Sequence, residues 1–263
     1  MQTRQAAARY CETRRALFIA DPLSAWQDVS DIVSGASGLG SGDWGLSRTA
    51  AAAVYVPHLH VDLAAADAPV RCAPCGAVAG VMARADRTAG PWTAAAGPTA
   101  TLRGVIGLSQ MMTEHEIGAL AAVGVNTLRM VPQVGPVVWG ARTHVSEYAP
   151  TPEFKYVPVR RTAWHLETSI ERGTSWAVDE TNDERLWGQI RQQVGNFLHA
   201  LFRLGAFPGT TPQDAFFVRC DASTMTSEDI AAGHLSVVVG FAPLKPAEFV
   251  VITVKQGVRP PTP

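Results

Sequence analysis

Cys72-Ala73-Pro74-Cys75 is the one motif in this sequence whose spacing invites an enzyme. A C-x-x-C pair followed by helix-forming residues suits redox chemistry, because a helix N-terminus lowers the pKa of the first thiol. A thioredoxin-type site also expects a central strand ahead of the pair, and Asp67, Pro69 and Arg71 stand there instead. A structural zinc would need two more ligands, drawn from the scattered Cys11, Cys220, His58 and His60. His58-Leu59-His60 puts two imidazoles on one strand face, a spacing used by metals and equally shown by plain solvated strands. Glu114-His115-Glu116 offers a base and a carboxylate, yet it reads as a first helical turn, where the helix dipole favours acids. Asp179-Glu180 with Asn182-Asp183-Glu184 could hold a cation, and the same residues suit the cap and first turn of a following helix. No G-x-S-x-G elbow places a serine nucleophile. The glycines at 35, 38, 40, 42 and 45 lack the lysine and the strand-loop-helix order of a phosphate-binding loop. The expectation is therefore no catalytic residue, no cofactor and no metal. The alternative is a small redox or metal-binding α/β enzyme built on Cys72 and Cys75.

The elements that would position these groups follow from hydrophobic spacing. Ala6, Ala7, Tyr10 and Cys11 suggest a first helix, and Leu17-Phe18-Ile19-Ala20 a short buried strand ended by Asp21-Pro22. Trp26, Val29, Ile32 and Val33 line one face of a helix over 24–33. Ala53-Val54-Tyr55-Val56 reads as a strand that Pro57 confines to an edge or a bend, and 59–63 as another. Small residues Ala77, Ala79 and Gly80 suit a closely packed helix over 76–85. Strands are expected at 102–108, 127–131 and 137–142, around a helix over 113–122 whose Thr113 and Glu116 form a capping box. A proline-marked loop covers 148–152.

In the second half, 159–172 reads as a helix with Ala163, Leu166 and Ile170 inward, and 175–178 as a strand. Thr181 or Asn182 would cap a long helix bearing Leu186, Trp187, Ile190, Val194, Phe197, Leu198, Leu201 and Phe202, with Leu186, Ile190, Phe197 and Leu201 expected in the core. Trp92, Trp139, Trp164, Trp176 and Trp187 read as core or interface anchors. Strands follow at 216–220, 235–241 and 248–254. Strands alternating with helices make the class α/β or α+β, a mixed sheet with flanking helices.

Composition narrows the function classes. The 263 residues hold 22 Lys+Arg against 23 Asp+Glu, a formal net charge of −1, so neither a nucleic-acid binder nor a polybasic membrane-surface protein is expected. A chain 47% hydrophobic and 17% charged is expected to fold, and four cysteines are too few for a disulfide framework. No run approaches the ~20 apolar residues of a membrane span, and Ala16 to Ala20 is too short for a signal-peptide core.

The end of the chain carries a different signal. In Val250-Val251-Ile252-Thr253-Val254 the face of Val250, Ile252 and Val254 is wholly apolar, and a proline-rich tail follows. Such a segment is either the last strand of its own domain or a strand donated to a neighbour's sheet.

Trp139-Gly140-Ala141-Arg142-Thr143 resembles the contractile tail sheath proteins of phages and phage-like injection systems. So do Tyr156-Val157-Pro158-Val159-Arg160-Arg161, Glu167-Thr168-Ser169-Ile170 and Gly173-Thr174-Ser175-Trp176-Ala177-Val178, followed in order by Asn182-Asp183-Glu184, Gly205-Ala206-Phe207, Phe216-Phe217-Val218-Arg219-Cys220-Asp221 and Pro246-Ala247-Glu248-Phe249-Val250. The resemblance implies a structural subunit that polymerises around an inner tube and shortens to drive the tube through a target envelope. Its implied partners are other sheath subunits, the inner tube protein and baseplate or cap proteins, with no direct nucleic acid or membrane contact. Its implied setting is a phage tail or phage-like particle in the bacterial cytoplasm, extracellular after release.

The resemblance further implies a shared α/β domain over 1–245 and, over 246–263, a strand arm and tail that complete a neighbour's sheet. Phe249, Val250, Val251, Ile252 and Val254 would then form the subunit interface. The resemblance starts at the helix holding Cys11, inside the shared domain, where family members carry a further N-terminal part. This implies a sheet edge that another polypeptide would fill, or else a truncated relic that no longer assembles. Cys72 and Cys75 replace the family's usual proline and serine.

Overall fold

The computed structural model describes residues 2–22, 46–62, 68–145, 152–244 and 250–260. The expected helix over 24–33, the glycine stretch that follows it and Phe249 lie outside these residues. The chain divides into two compact units, Met1–Arg161 and Thr162–Pro263.

In the first unit, helix α1 (Gln2–Thr13) leads into strand β1 (Phe18–Ala20), which pairs in parallel with β2 (Ala52–Val56). Strand β6 (Val125–Val131) continues the parallel pairing and β7 (Gly135–Val138) closes it antiparallel, giving a mixed sheet of order β1-β2-β6-β7. All five β2 residues are buried, as expected of a strand covered on both faces. Ala52, Val54 and Val56 join a core with Ala8, Leu46, Leu120 and Val125, while Ala53 and Tyr55 join one with Val78, Val81, Met82, Leu128 and Val138. Pro57 therefore marks a bend at the end of an interior strand, not an edge strand: its missing N–H falls past the last paired residue.

A second, antiparallel sheet in this unit has β3 (Leu59–Val61) between β4 (Val70–Cys72) and β5 (Val105–Leu108). Helix α2 (Cys75–Ala89) buries Val78, Val81 and Met82. Of the small residues expected to allow close packing, Ala77 packs against the core while Ala79 and Gly80 face solvent. Helix α3 (Glu114–Ala122) starts with the expected capping box: the Thr113 hydroxyl accepts from the Glu116 N–H, and the Glu116 carboxylate accepts from the Thr113 N–H at 2.7 Å. Asn126, 1% exposed, donates from Nδ2 to the carbonyls of Val54 and Arg142 and accepts from the Arg142 N–H at 2.6 Å, fastening the exit of β7 to the sheet.

Helix α4 (Val157–Gly173) carries the boundary between the units. In the second unit the expected strand at 175–178 is instead a 3-10 turn, Ser175–Asp179. The Ala177 N–H reaches back to Thr174 and the Glu180 N–H to Ala177, closing the backbone locally instead of in a ladder. Helix α5 (Glu184–Arg203) buries Leu186, Trp187, Ile190, Val194, Leu198 and Leu201. Phe197 is only half-buried, at the flank of the stripe beside His165, so its expected core place belongs to Leu198. The cap is Asp183, neither Thr181 nor Asn182: its Oδ1 accepts the Leu186 N–H at 2.9 Å. Short helices α6 (Pro212–Ala215) and α7 (Ser227–Ala231) flank β8 (Phe216–Arg219), which pairs antiparallel with β9 (His234–Phe241). Strand β10 (Val250–Gly257) completes the sheet in the order β10-β9-β8. The expected class, helices with a mixed sheet, is the observed one.

Candidate assembly surface

Strand β10 alternates as its sequence demands. Val250, Ile252 and Val254 are buried, while Val251, Thr253 and Lys255 face solvent, with Val251 54% exposed. Its partner is β9 of the same chain, over eight register pairs running from Val250 opposite Phe241 to Gly257 opposite His234. The donated pairing expected for 246–263 is thus replaced, in the isolated chain, by a ladder within the chain, and β10 is an edge strand of a three-stranded sheet. Gly240 faces Val251 across this ladder, and a Cβ at Gly240 would overlap the ring of Phe217 on β8, which lies over the glycine. Arg219 stacks on that ring with its guanidinium carbon 5.2 Å from the centroid. Phe207 packs against both Phe216 and Phe241, at 6.1 and 5.8 Å between ring centroids, and anchors the end of the sheet where β10 begins.

The far end of β10 is fastened by Asn182. Its backbone N–H donates to the Arg259 carbonyl at 2.9 Å, and its buried side chain donates to the carbonyls of Ile230 and His234, each at 3.3 Å. Its Oδ1 accepts the indole N–H of Trp187. One amide therefore joins α5, the end of α7, the start of β9 and the exit of β10. Sequence spacing offered Asn182 as a cap and missed this role, because the residues it joins are far apart along the chain.

The other sequence candidates fall apart as sites. Cys72 ends β4 and Cys75 opens α2, both as free thiols. The Cys75 N–H donates to Oδ1 of Asp21 at 2.8 Å, so a carboxylate already occupies the positive end of the helix. Burial, and then the hydrogen bond and negative charge of Asp21, push the Cys75 thiol up, opposite to what a redox nucleophile needs. Burial pushes Cys220 up to about 12. His58 is half-buried, 3.0 Å from the Arg71 guanidinium, and burial followed by that cation lowers its pKa. Glu114 pairs with Arg129, and Glu116 is held low by its bonds to Thr113. In the acidic cluster Asp183 is the cap and Glu184 pairs with Arg191 at 2.8 Å. Among the described residues no group of three or more His, Cys, Asp and Glu side chains is arranged to hold a metal ion. Of the tryptophans expected as anchors, Trp164 and Trp187 are core, Trp92 and Trp139 are half-buried, and Trp176 is exposed.

Residues 149–257 match the phage tail sheath C-terminal domain. Among solved structures the chain is similar to a protein of the anti-feeding prophage baseplate, at 28% identity and a TM-score of 0.68, over 88% of this chain and 65% of that one. It is similar to a protein of the sheath complex of an extracellular contractile injection system, PVC, in its contracted state, at 32% identity and a TM-score of 0.73, over 92% of this chain and 64% of that one. The fold is also that of a sheath tail protein from Listeria innocua, at 15% identity and a TM-score of 0.65, over 95% of this chain and 58% of that one. The chain thus spans just under two thirds of the length of the first two relatives. No curated protein matches it.

Proposed function

We propose that this chain is a member of the tail sheath family and a structural subunit of a contractile sheath. In this reading it polymerises with other sheath subunits around an inner tube, meets baseplate or cap proteins at the ends, and shortens to drive the tube through a target envelope. Its work is mechanical and not catalytic, in a phage-tail-like particle that forms in the bacterial cytoplasm and acts outside it. The observation that carries the reading is the 32% identity to the PVC sheath complex protein over 92% of the chain. The raised Cys75 thiol beside Asp21 tells against the redox alternative.

Strand β10 is the element we assign to connecting subunits. The ladder it makes with its own β9 can be made, bond for bond, with the β9 of a neighbour, so exchange costs little beyond the entropy of association. Six residue steps from Leu244 to Val250 span at most about 21 Å, which limits the exchange to an adjoining subunit. Phe249, Val250, Val251, Ile252 and Val254 would then be interface residues. A cysteine pair tests this: Thr253→Cys with Val238→Cys, residues directly opposite in the ladder. Oxidised under assembling conditions, this variant should ladder into covalent multimers on a non-reducing gel, against the unsubstituted chain as control. Cross-linked monomer alone would show that β10 stays in its own sheet.

A further inference from the structure

Trp176 is 41% exposed yet held in one orientation. Its indole Nε1–H donates to Oε1 of Gln193 at 2.9 Å, and the Gln193 Nε2–H donates onward to the Gly173 carbonyl at 2.9 Å. The 3-10 turn that carries it is rooted by Ala177, which is fully buried, and by the Glu180 carbonyl, which accepts the Arg259 N–H at 2.9 Å. Val178 beside it is 52% exposed. Asp179 and Glu180 follow, both exposed, and neither forms an ion pair among the described residues. A surface tryptophan already fixed by hydrogen bonds loses little rotamer freedom on docking, and tryptophan is among the residues that dominate interface energies.

The complementary chemistry lies on α1. Arg9, Tyr10 and Thr13 are spaced to share one face at the end of α1, Arg14 follows directly, and all four are exposed, Tyr10 by 62%. Arg14 lies over the Tyr10 ring with its guanidinium carbon 5.5 Å from the centroid, and Arg9 forms no ion pair among the described residues. The face presents two guanidinium groups around an aromatic ring, and the knob presents an indole, an aliphatic side chain and two carboxylates. Arginine stacks on tryptophan and pairs with carboxylates, so the two surfaces match in both of arginine's preferred contacts.

We propose that the knob of Trp176, Val178, Asp179 and Glu180 on one copy of this chain docks on the Arg9, Tyr10 and Arg14 face of α1 on a second copy. Because knob and face are different surfaces, the contact can repeat from copy to copy, as rings or helical strands require. The inference rests on the sheath reading only in taking the partner to be another copy of the chain.

The test uses two charge-reversed full-length chains, Asp179→Arg with Glu180→Arg, and Arg9→Glu with Arg14→Glu. All four sites are exposed, so each variant should keep the circular dichroism and melting temperature of the parent. Sedimentation velocity across a concentration series, at about 50 mM and about 500 mM salt, reads the association. Each reversal should raise the concentration needed for association by ~10-fold or more, most strongly at low salt. An equimolar mixture of the two variants should restore association, because each knob then meets an opposite face. A mixture no better than its components, or reversals without effect, overturns the proposal. Electron micrographs of the same samples separate the two ideas. Tubes formed equally by both reversed chains would sink the docking contact and leave the sheath reading intact. A parent chain that stays monomeric throughout would sink the docking contact.

Discussion

Trp187 donates its indole N–H to Oδ1 of Asn182 at 2.7 Å, inside a side-chain cluster where both residues are more than nine-tenths buried. The bond sets the orientation of the Asn182 amide, whose two donors then face the carbonyls of Ile230 and His234. The first turns of α5 are thereby fastened to the end of α7 and the start of β9.

Asn182→Ala should destabilise the chain by about 2–5 kcal/mol, since it leaves a buried indole N–H and two carbonyls without their partner. Urea unfolding measures it. A loss below about 1 kcal/mol would mean that water replaces the amide without penalty and that the fastening is not structural.

Gly240 and Phe217 form a second pair whose coupling is measurable. Gly240→Ala forces the Phe217 ring off the strand and should cost about 1–3 kcal/mol. In Phe217→Ala the same change at Gly240 should cost far less, because the overlapping ring is gone. A double-mutant cycle reads the difference. Additive effects would show that the glycine is there for some reason other than the ring above it.

His144 makes stability depend on pH. It is 1% exposed, and burial first, then the positive charge of Arg48, lowers its pKa from 6.5 to about 4, against opposing hydrogen bonds to the backbone at Gly124 and Leu46. The unfolded chain then binds a proton that the folded chain refuses between those values. The stability this neutral imidazole allows is complete above about pH 6.5 and is lost as pH falls toward 4, by about 3 kcal/mol. In His144→Gln that part of the slope should vanish in melts at pH 7 and pH 4.5. An unchanged slope would place the acid sensitivity elsewhere.

Local chemistry was legible in the sequence and partnership was not. The capping box of Thr113 and Glu116 needs only residues three apart, and the structure has it as read. The alternation of β10 announces which residues are buried, because side-chain direction follows from the strand alone. It is silent on whose β9 completes the ladder. At Phe197 and Leu198 two neighbouring apolar residues compete for one stripe, and only the packing partners decide that Leu198 lies inside. Trp176, Ala177 and Val178 have the composition of a strand, yet the backbone closes on itself as a 3-10 turn. Asn182 joins segments as far along the chain as Arg259, beyond any spacing rule, and the exposed knob at Trp176 could not be told from core by residue type.

The central claim is that this chain polymerises as a contractile sheath does. Negative-stain electron microscopy of the full chain, produced together with the tube and baseplate proteins of its own particle, tests it most directly. The account predicts striated tubes or stacked rings containing this chain, in a long and a shortened form. Dispersed single molecules, with the tube and baseplate assembling without it, would contradict the account.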